Sequence, residues 1–374
     1  MILFLSLILF VYVLTIGHLI YGFDKIPLYK NTDSNPKTFF AIVVPFRNES
    51  TNLPKLLESF KNLKYPKTLF EIIFIDDFSE DDSVKQIYNW RMENGVFHTT
   101  LLENLRISNS PKKDAITRAI PIIKNEWIVT TDADCVVPVN WLLILDNYIQ
   151  NHDVEMIVGS VVYECKKTFL HHFQYLDLMS LQGTTIGSFG LGLGFMCNGA
   201  NFCYTKSLFK ELNGFIGNNT ISSGDDVFLV QKAMGENPEK VHYLKSKLNI
   251  VSTKPMNDWK SLFHQRVRWA SKTGLYQSVF GKDLAAIVLV SNLSLVIGYL
   301  FCAFGLSSWQ YCAVLFVIKF AFDFILLKKA NSFFTKKRMR YLILSSLLYP
   351  FFCVGVALFS LLGKYEWKGR RAKY

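Results

Sequence analysis

The 374-residue chain has no Cys-x-x-Cys pair and no Cys/His spacing of a metal-binding module. Its seven cysteines are odd in number. Together these exclude a disulfide framework and a zinc ribbon or finger. Cys302, Cys312 and Cys353 sit inside apolar runs, as reduced thiols acting as small buried hydrophobes in a cytosol-facing protein. There is no internal repeat and no low-complexity tract. No basic residue precedes the first apolar run and no small-x-small site ends it, so a membrane anchor fits better than a cleaved signal peptide. A basic stripe is also missing, although the net charge is +11. Lys328, Lys329, Lys336, Lys337, Arg338 and Arg340 crowd one short loop, and Lys364, Lys368, Arg370, Arg371 and Lys373 follow the last apolar run. Basic residues placed beside apolar segments meet anionic lipid on the cytoplasmic side, which argues against nucleic acid as partner.

What the chain does have is apolar length. Half of its residues are hydrophobic and the mean hydropathy is +0.21. The excess collects near the N-terminus and in the C-terminal third. We therefore expect an N-terminal transmembrane anchor over 1–23, a polar linker over 24–38, a cytoplasmic domain over 39–281, a C-terminal transmembrane region over 282–363 and a basic tail over 364–374. Three segments, 284–304, 311–327 and 341–362, are long enough to span or nearly span. Pro350 is expected to kink or break the last one, and a re-entrant hairpin there would keep the basic tail cytoplasmic.

Between the apolar ends the pattern alternates. Residues 39–44, 71–75 and 127–131 read as buried strands, and 53–60, 83–90 and 114–123 as helices. Such alternation predicts an α/β fold with a mostly parallel sheet covered on both faces, whose ligands bind at the carboxyl ends of the strands.

Polar clusters fall at those ends. Val44-Pro45-Phe46-Arg47-Asn48-Glu49 follows the first strand, and by itself is compatible with an ordinary polar turn. Asp76 and Asp77 end the second; the following Glu80, Asp81 and Asp82 suit a helix start. Lys112 and Lys113 open a helix, where positive charge opposes the helix dipole. A diphosphate would remove that conflict, and solvation of the pair is the plain alternative. Asp132-Ala133-Asp134 ends the third strand, and in a turn both carboxylates can face one point, a hard-oxygen pair suited to Mg²⁺ or Mn²⁺. Ser222-Ser223-Gly224-Asp225-Asp226 precedes an apolar helix, so the acids serve as helix cap or as an adjacent carboxylate pair with a general base. Gln265-Arg266-Val267-Arg268-Trp269 lies just before the apolar third, as an interfacial anchor or as phosphate- and sugar-contacting residues.

In this order the clusters resemble the membrane-bound inverting glycosyltransferases of family 2, over residues 39–281. The resemblance implies a GT-A nucleotide-diphospho-sugar transferase domain with a mixed sheet. It implies a nucleotide-sugar site at Pro45, Arg47, Glu49, Asp76, Asp77, Lys112, Lys113, Asp132 and Arg268. It implies metal ligation by Asp132 and Asp134 (the DxD of the family) and catalysis by Asp226 as base beside Asp225. Asn198, Gly199, Ala200 and Asn201 resemble an acceptor-side loop, and Gln265 and Trp269 belong to the QxxRW motif on the same side. The family's Gly-Lys-x-x-Ala-Leu-Asn pattern is only partly matched by Pro111 to Thr117, and the Glu of its Glu-Asp pair is Asp225 here. Trp367-Lys368-Gly369-Arg370 is similar to tails of some members.

The expected partners are a nucleotide-sugar donor, UDP-linked by resemblance, a lipid or glycan acceptor and membrane lipids, without nucleic acid. The expected cofactor is a divalent metal, Mg or Mn. The expected setting is the bacterial inner membrane and cell-envelope synthesis. Transfer to a polyprenyl phosphate and processive polymerisation are the enzymatic alternatives, and a non-catalytic membrane scaffold is the alternative of a different class.

Overall fold

The computed structural model describes residues 2–31, 35–219, 221, 223–361, 364–367 and 370–373. Ser222, Lys368 and Gly369, which belong to segments singled out above, lie outside the described residues, as do Met1 and residues 32–34 of the expected linker. The chain forms two compact units. One gathers residues 1–26, 165–195 and 255–374; the other gathers 27–164 and 196–254.

Helix α1 (Ile2–Lys25) opens the chain. The second unit then begins with β1 (Phe40–Phe46), α2 (Leu53–Lys61), β2 (Phe70–Asp76), α3 (Ser83–Glu93), β3 (His98–Glu103), α4 (Pro111–Ala119), β4 (Trp127–Thr130) and α5 (Trp141–Asn151). Short strands β5 (Met156–Val158) and β6 (Val161–Tyr163) follow, and after the chain has left and returned come β7 (Phe202–Thr205), helices α7 (Lys206–Glu211) and α8 (Asp225–Glu236), and strands β8 (Val241–Tyr243) and β9 (Val251–Thr253). Helix α6 (Phe169–Gly190) belongs to the first unit.

The main sheet has seven strands in the order β3-β2-β1-β4-β7-β5-β8. β1 pairs in parallel with β2 and β4, while β7 runs antiparallel to β4 and β5, so the sheet is mixed and mostly parallel. A second small sheet pairs β6 with β9. The central strands explain why continuous apolar runs predicted them: Phe40 to Val44 and Ile72 to Ile75 are fully buried, as expected of strands covered on both faces. Leu53, Leu56 and Phe60 of α2 and Trp141, Leu142 and Leu145 of α5 pack on that sheet in one apolar core. The parallel order places the carboxyl ends of β1, β2 and β4 side by side, and these are the ends carrying the polar clusters.

The first unit contains α9 (Trp259–Ala270), α10 (Val279–Ala303), α11 (Trp309–Phe334), α12 (Leu342–Leu361) and a hairpin of β10 (Lys364–Trp367) and β11 (Arg370–Lys373). Among the described residues, four helices are long and apolar enough to cross a membrane: α1, α10, α11 and α12. Polar groups inside them pair with each other. Tyr12 donates to Asp323 at 2.5 Å and Lys319 lies 2.7 Å from the same carboxylate. That is the arrangement an apolar medium demands of charged groups. Gly22 of α1 faces Gly187 of α6, where an added Cβ would strike backbone, so the two helices approach closely through small residues. The break expected at Pro350 does not occur: α12 runs through it. A proline removes one backbone hydrogen bond of the ladder, a loss that membrane helices tolerate through local adjustment.

Candidate active site

Strand β4 stops at Thr130, and the chain turns sharply. The Cys135 N–H donates to the Asp132 carbonyl at 3.1 Å, closing the four-residue turn that carries both acids. Pro111 starts α4, where its missing N–H costs nothing, and its neighbour Lys112 reaches across to this turn. Lys112 Nζ lies 2.7 Å from Asp132 Oδ1 and 3.2 Å from Asp225 Oδ2. Burial lowers the proton affinity of the ammonium, but the charges of Asp132, Asp225 and Asp226 and the Asp132 hydrogen bond outweigh it and hold its pKa well above the ordinary lysine value. The dipole conflict expected at the start of α4 is thus relieved by carboxylates of the protein itself.

Asp225 and Asp226 open α8, whose N-cap Gly224 sits at φ 80°, a left-handed conformation that favours glycine. Acidic residues suit this first turn. Asp225 is buried beside Lys112, whereas Asp226 is more open. The Gly199 N–H donates to Asp226 Oδ2 at 2.8 Å and so fixes that carboxylate. A Cβ at Gly199 would lie 3.1 Å from Lys112 Nζ and 3.2 Å from Asp225 Oδ2, so the glycine backbone approaches the charged cluster closely. The Gly199 carbonyl in turn accepts from Thr130 Oγ1 at 2.7 Å, tying this segment to the end of β4.

A second group lies at the ends of β1 and β2. Asp77 is buried and accepts from Asn104 Nδ2 at 2.9 Å and Arg106 Nε at 2.7 Å. Arg106 also lies over the Phe78 ring. Asp76 accepts from the Ser79 N–H at 3.0 Å. Arg47 donates to the Asp77 and Phe78 carbonyls, each at 2.7 Å, and pairs with Glu80. Glu49 is buried and accepts from Asn52 at 2.6 Å, with its N–H on Ser83 Oγ. Pro45 lies in β1 opposite Ile75. Arg47 and Glu49 therefore brace the two strand-end loops against each other. Asn104 and Arg106 escaped the sequence reading because their strand, β3, lacks the continuous apolar run of β1 and β2. The available signal was an Asn and an Arg just beyond a Leu-Leu pair.

Two of the expected site residues have buried side chains bonded to the fold itself. Lys113 does not join Lys112: it is buried and donates to the Asn218 and Ile221 carbonyls, at 2.6 and 3.0 Å, bracing the segment before α8. Asn201 is buried, accepts from Trp141 Nε1 at 2.9 Å and donates to the Ser160 and Asn249 carbonyls. Its amide is spent on joining the chain segments around β7. Ala200 is buried as well, and Asn198 accepts from the Ala200 N–H at 3.1 Å.

In the other unit, Gln265, Arg268 and Trp269 share helix α9, which begins with Asp258 capping the Ser261 N–H at 2.8 Å. Arg268 and Trp269 are half-buried.

The turn after β4 has the donor set of a hard cation. Ligand atoms of Asp132, Asp134 and Cys135 lie within 4.8 Å of one another. Burial, then the charges of Asp134 and Asp132, push the Cys135 thiol well above its ordinary range, so it stays protonated and the two carboxylates are the ligands that fit Mg²⁺ or Mn²⁺. Beside them Thr131 Oγ1 is buried with no hydrogen-bond partner among the described residues.

The model described as Glycosyl transferase family 2 matches residues 41–212, and the model described as Glycosyl transferase family group 2 matches residues 127–361. Beta-monoglucosyldiacylglycerol synthase of Trichormus variabilis is 26% identical over 246 residues, covering 64% of this chain and 49% of that protein. Poly(ribitol-phosphate) beta-N-acetylglucosaminyltransferase TarS of Staphylococcus aureus is 26% identical over 95 residues, covering 25% of this chain and 16% of that protein. The chain thus spans half or less of the length of these relatives. Among solved structures, mannosyltransferase PcManGT from Pyrobaculum calidifontis, in complex with GDP-Man and Mn²⁺, is similar with a TM-score of 0.60 and 18% identity, over 93% of this chain and 98% of that one. This last likeness is one of fold.

Proposed function

The chain belongs to glycosyl transferase family group 2, and from that premise we propose that it moves a sugar from a nucleotide-diphospho-sugar, UDP-linked by resemblance, to a membrane-associated lipid or glycan, with inversion at the anomeric carbon. The observation that carries the reading is the convergence of Lys112, Asp132, Asp225 and Asp226 at the carboxyl end of β4, where a parallel sheet presents its ligands. Membrane-directed acceptors are supported by four helices with the length and apolarity to span. They are supported also by the relation to a synthase whose name specifies a glycosylated diacylglycerol.

In this reading Asp226 accepts the proton of the acceptor hydroxyl as the acceptor oxygen bonds to the anomeric carbon and the bond from that carbon to the diphosphate breaks. The Gly199 N–H keeps the receiving carboxylate oriented. Asp225 is the buried counter-charge that fixes Lys112, and the Lys112 ammonium offsets charge on the departing nucleotide diphosphate. Asp132 and Asp134 would hold one Mg²⁺ or Mn²⁺ ion, which supplies neutralisation of the diphosphate. Asp76 and Asp77, with Arg47 and Glu49 bracing the loops around them, form the nucleoside end. Arg268 is assigned to the diphosphate, and Gln265 and Trp269 with Asn198 and Gly199 to the acceptor, by the family resemblance. Residues 39–281 make up the catalytic part on the cytoplasmic side of a bacterial inner membrane, with transmembrane segments in 1–23 and 282–363. The basic loop around 336–340 contacts anionic lipid.

The test is a panel of radiolabelled nucleotide sugars incubated with the full chain, with and without host membranes. Label extractable into organic solvent that depends on membranes supports the reading. Absence of nucleotide release from every donor under every condition contradicts it and favours a non-catalytic scaffold.

A further inference from the structure

Arg266 lies within the Gln265–Trp269 segment, yet it is not one of the residues the resemblance assigns. Its side chain bonds both to α6 and within α9. Its Nε lies 2.5 Å from Asp177 Oδ2 of α6, and both side chains are only 6% exposed. Its Nη1 donates to the side-chain oxygen of Gln265. Its guanidinium carbon sits 4.2 Å from the centroid of the Trp269 ring, one helical turn on. One planar group thus grips an acid with one edge, an amide with another and an indole with its face, a combination that lysine cannot reproduce.

Helix α6 supplies the other half. Gln174, one turn before Asp177 and fully buried, holds the Met256 backbone from both sides, accepting from its N–H at 2.8 Å and donating to its carbonyl at 2.9 Å. The chain leading into α9 and the middle of α9 are therefore docked on one face of α6. A buried ion pair is a poor way to gain stability, because desolvation offsets most of the attraction and an apolar pair of similar volume does as well or better. What the pair supplies is geometry: it fixes the guanidinium that bonds Gln265 and lies over the Trp269 ring.

We propose that Asp177 and Arg266 are positioning residues that hold Gln265 and Trp269 in the conformation that accepts the incoming hydroxyl compound, and so govern acceptor use and leave donor binding alone. The inference rests on the assignment of Gln265 and Trp269 to the acceptor.

The experiment uses the full chain in detergent with Arg266→Lys, Asp177→Asn and the double variant. Transfer should fall about tenfold or more, as expected when a reacting group is misplaced by a fraction of an ångström. Acceptor KM or kcat should change while donor KM stays within about twofold, and the double variant should be no worse than the poorer single one. A second readout needs no turnover. The near-ultraviolet circular dichroism of the indoles should change in Arg266→Lys, and that change should vanish in a Trp269→Phe background. Donor KM moving in step with acceptor KM, additive losses in the double variant, or a dichroism change that persists without Trp269 would each overturn the proposal. If the unsubstituted protein transfers no sugar, the transferase reading has failed on its own and the dichroism alone decides the positioning claim.

Discussion

Lys112 Nζ donates to Asp132 Oδ1 at 2.7 Å, which places a fixed positive charge against the acid that opens the turn after β4. The same ammonium reaches Asp225, so one lysine joins the proposed donor side of the site to the helix that carries the proposed base.

Replacing this lysine separates those roles. In Lys112→Met, Asp132 and Asp225 lose their common counter-charge, and a cation should bind the acids more tightly while a nucleotide diphosphate binds less tightly. Donor affinity should drop by about tenfold or more, in line with about 1–3 kcal/mol for a charged hydrogen-bond partner lost from a partly buried site. Isothermal titration with Mn²⁺ alone and with UDP plus Mn²⁺ measures both. Equal weakening of the two would contradict the assignment.

The lysine also sets a pH window. Its folded pKa is raised above the unfolded value of about 10.4. The stability it contributes is therefore fully present below that value and is lost as pH rises through the folded pKa. The difference in thermal midpoint between the unsubstituted chain and Lys112→Met should be constant from neutrality to about pH 10 and shrink above it. A difference that shrinks between pH 7 and 9 would show that another group holds the charge.

Asn201 is expected to act through folding. Its buried amide bonds Trp141, Ser160 and Asn249, and Asn201→Leu removes these bonds, leaving the Trp141 N–H and the Asn249 carbonyl without this partner while the Ser160 carbonyl keeps the Val251 N–H. Each buried polar group left unmade costs about 1–3 kcal/mol, so the variant should be markedly destabilised, and whatever folds should show an unchanged acceptor KM. A well-folded variant with a raised acceptor KM would return Asn201 to the acceptor loop.

The strands β1, β2 and β4 were legible because each holds a continuous apolar run, Phe40 to Phe46, Ile72 to Ile75 and Trp127 to Val129, as a strand buried on both faces requires. β3 was not: His98, Leu101, Leu102 and Glu103 lie at the sheet edge with one side toward solvent, and their mixed pattern resembles a loop. Helix α4 was expected from Asp114 and begins at Pro111, although Pro at a first helical position is itself a start signal. Helix α6 was missed because it is buried nearly all round, from His171 to Phe189, so no amphipathic period marks it. At the site, residue types and their order identified the carboxylates. The choice between Lys112 and Lys113 was beyond the sequence, since adjacent residues on a helix point about 100° apart and only packing decides which one meets the acids. The burial of Asn201 was equally hidden, because an amide reads the same whether it faces a ligand or the backbone of distant strands.

In the proposed reaction Asp226 takes the proton from the acceptor. The most direct measurement is Asp226→Asn in the full chain, with sugar transfer and UDP binding measured side by side. Loss of the base should lower kcat by about 10²–10⁴-fold while UDP affinity stays within about twofold. Transfer at the rate of the unsubstituted chain, or a loss of UDP binding that accounts for the whole effect, would contradict the claim.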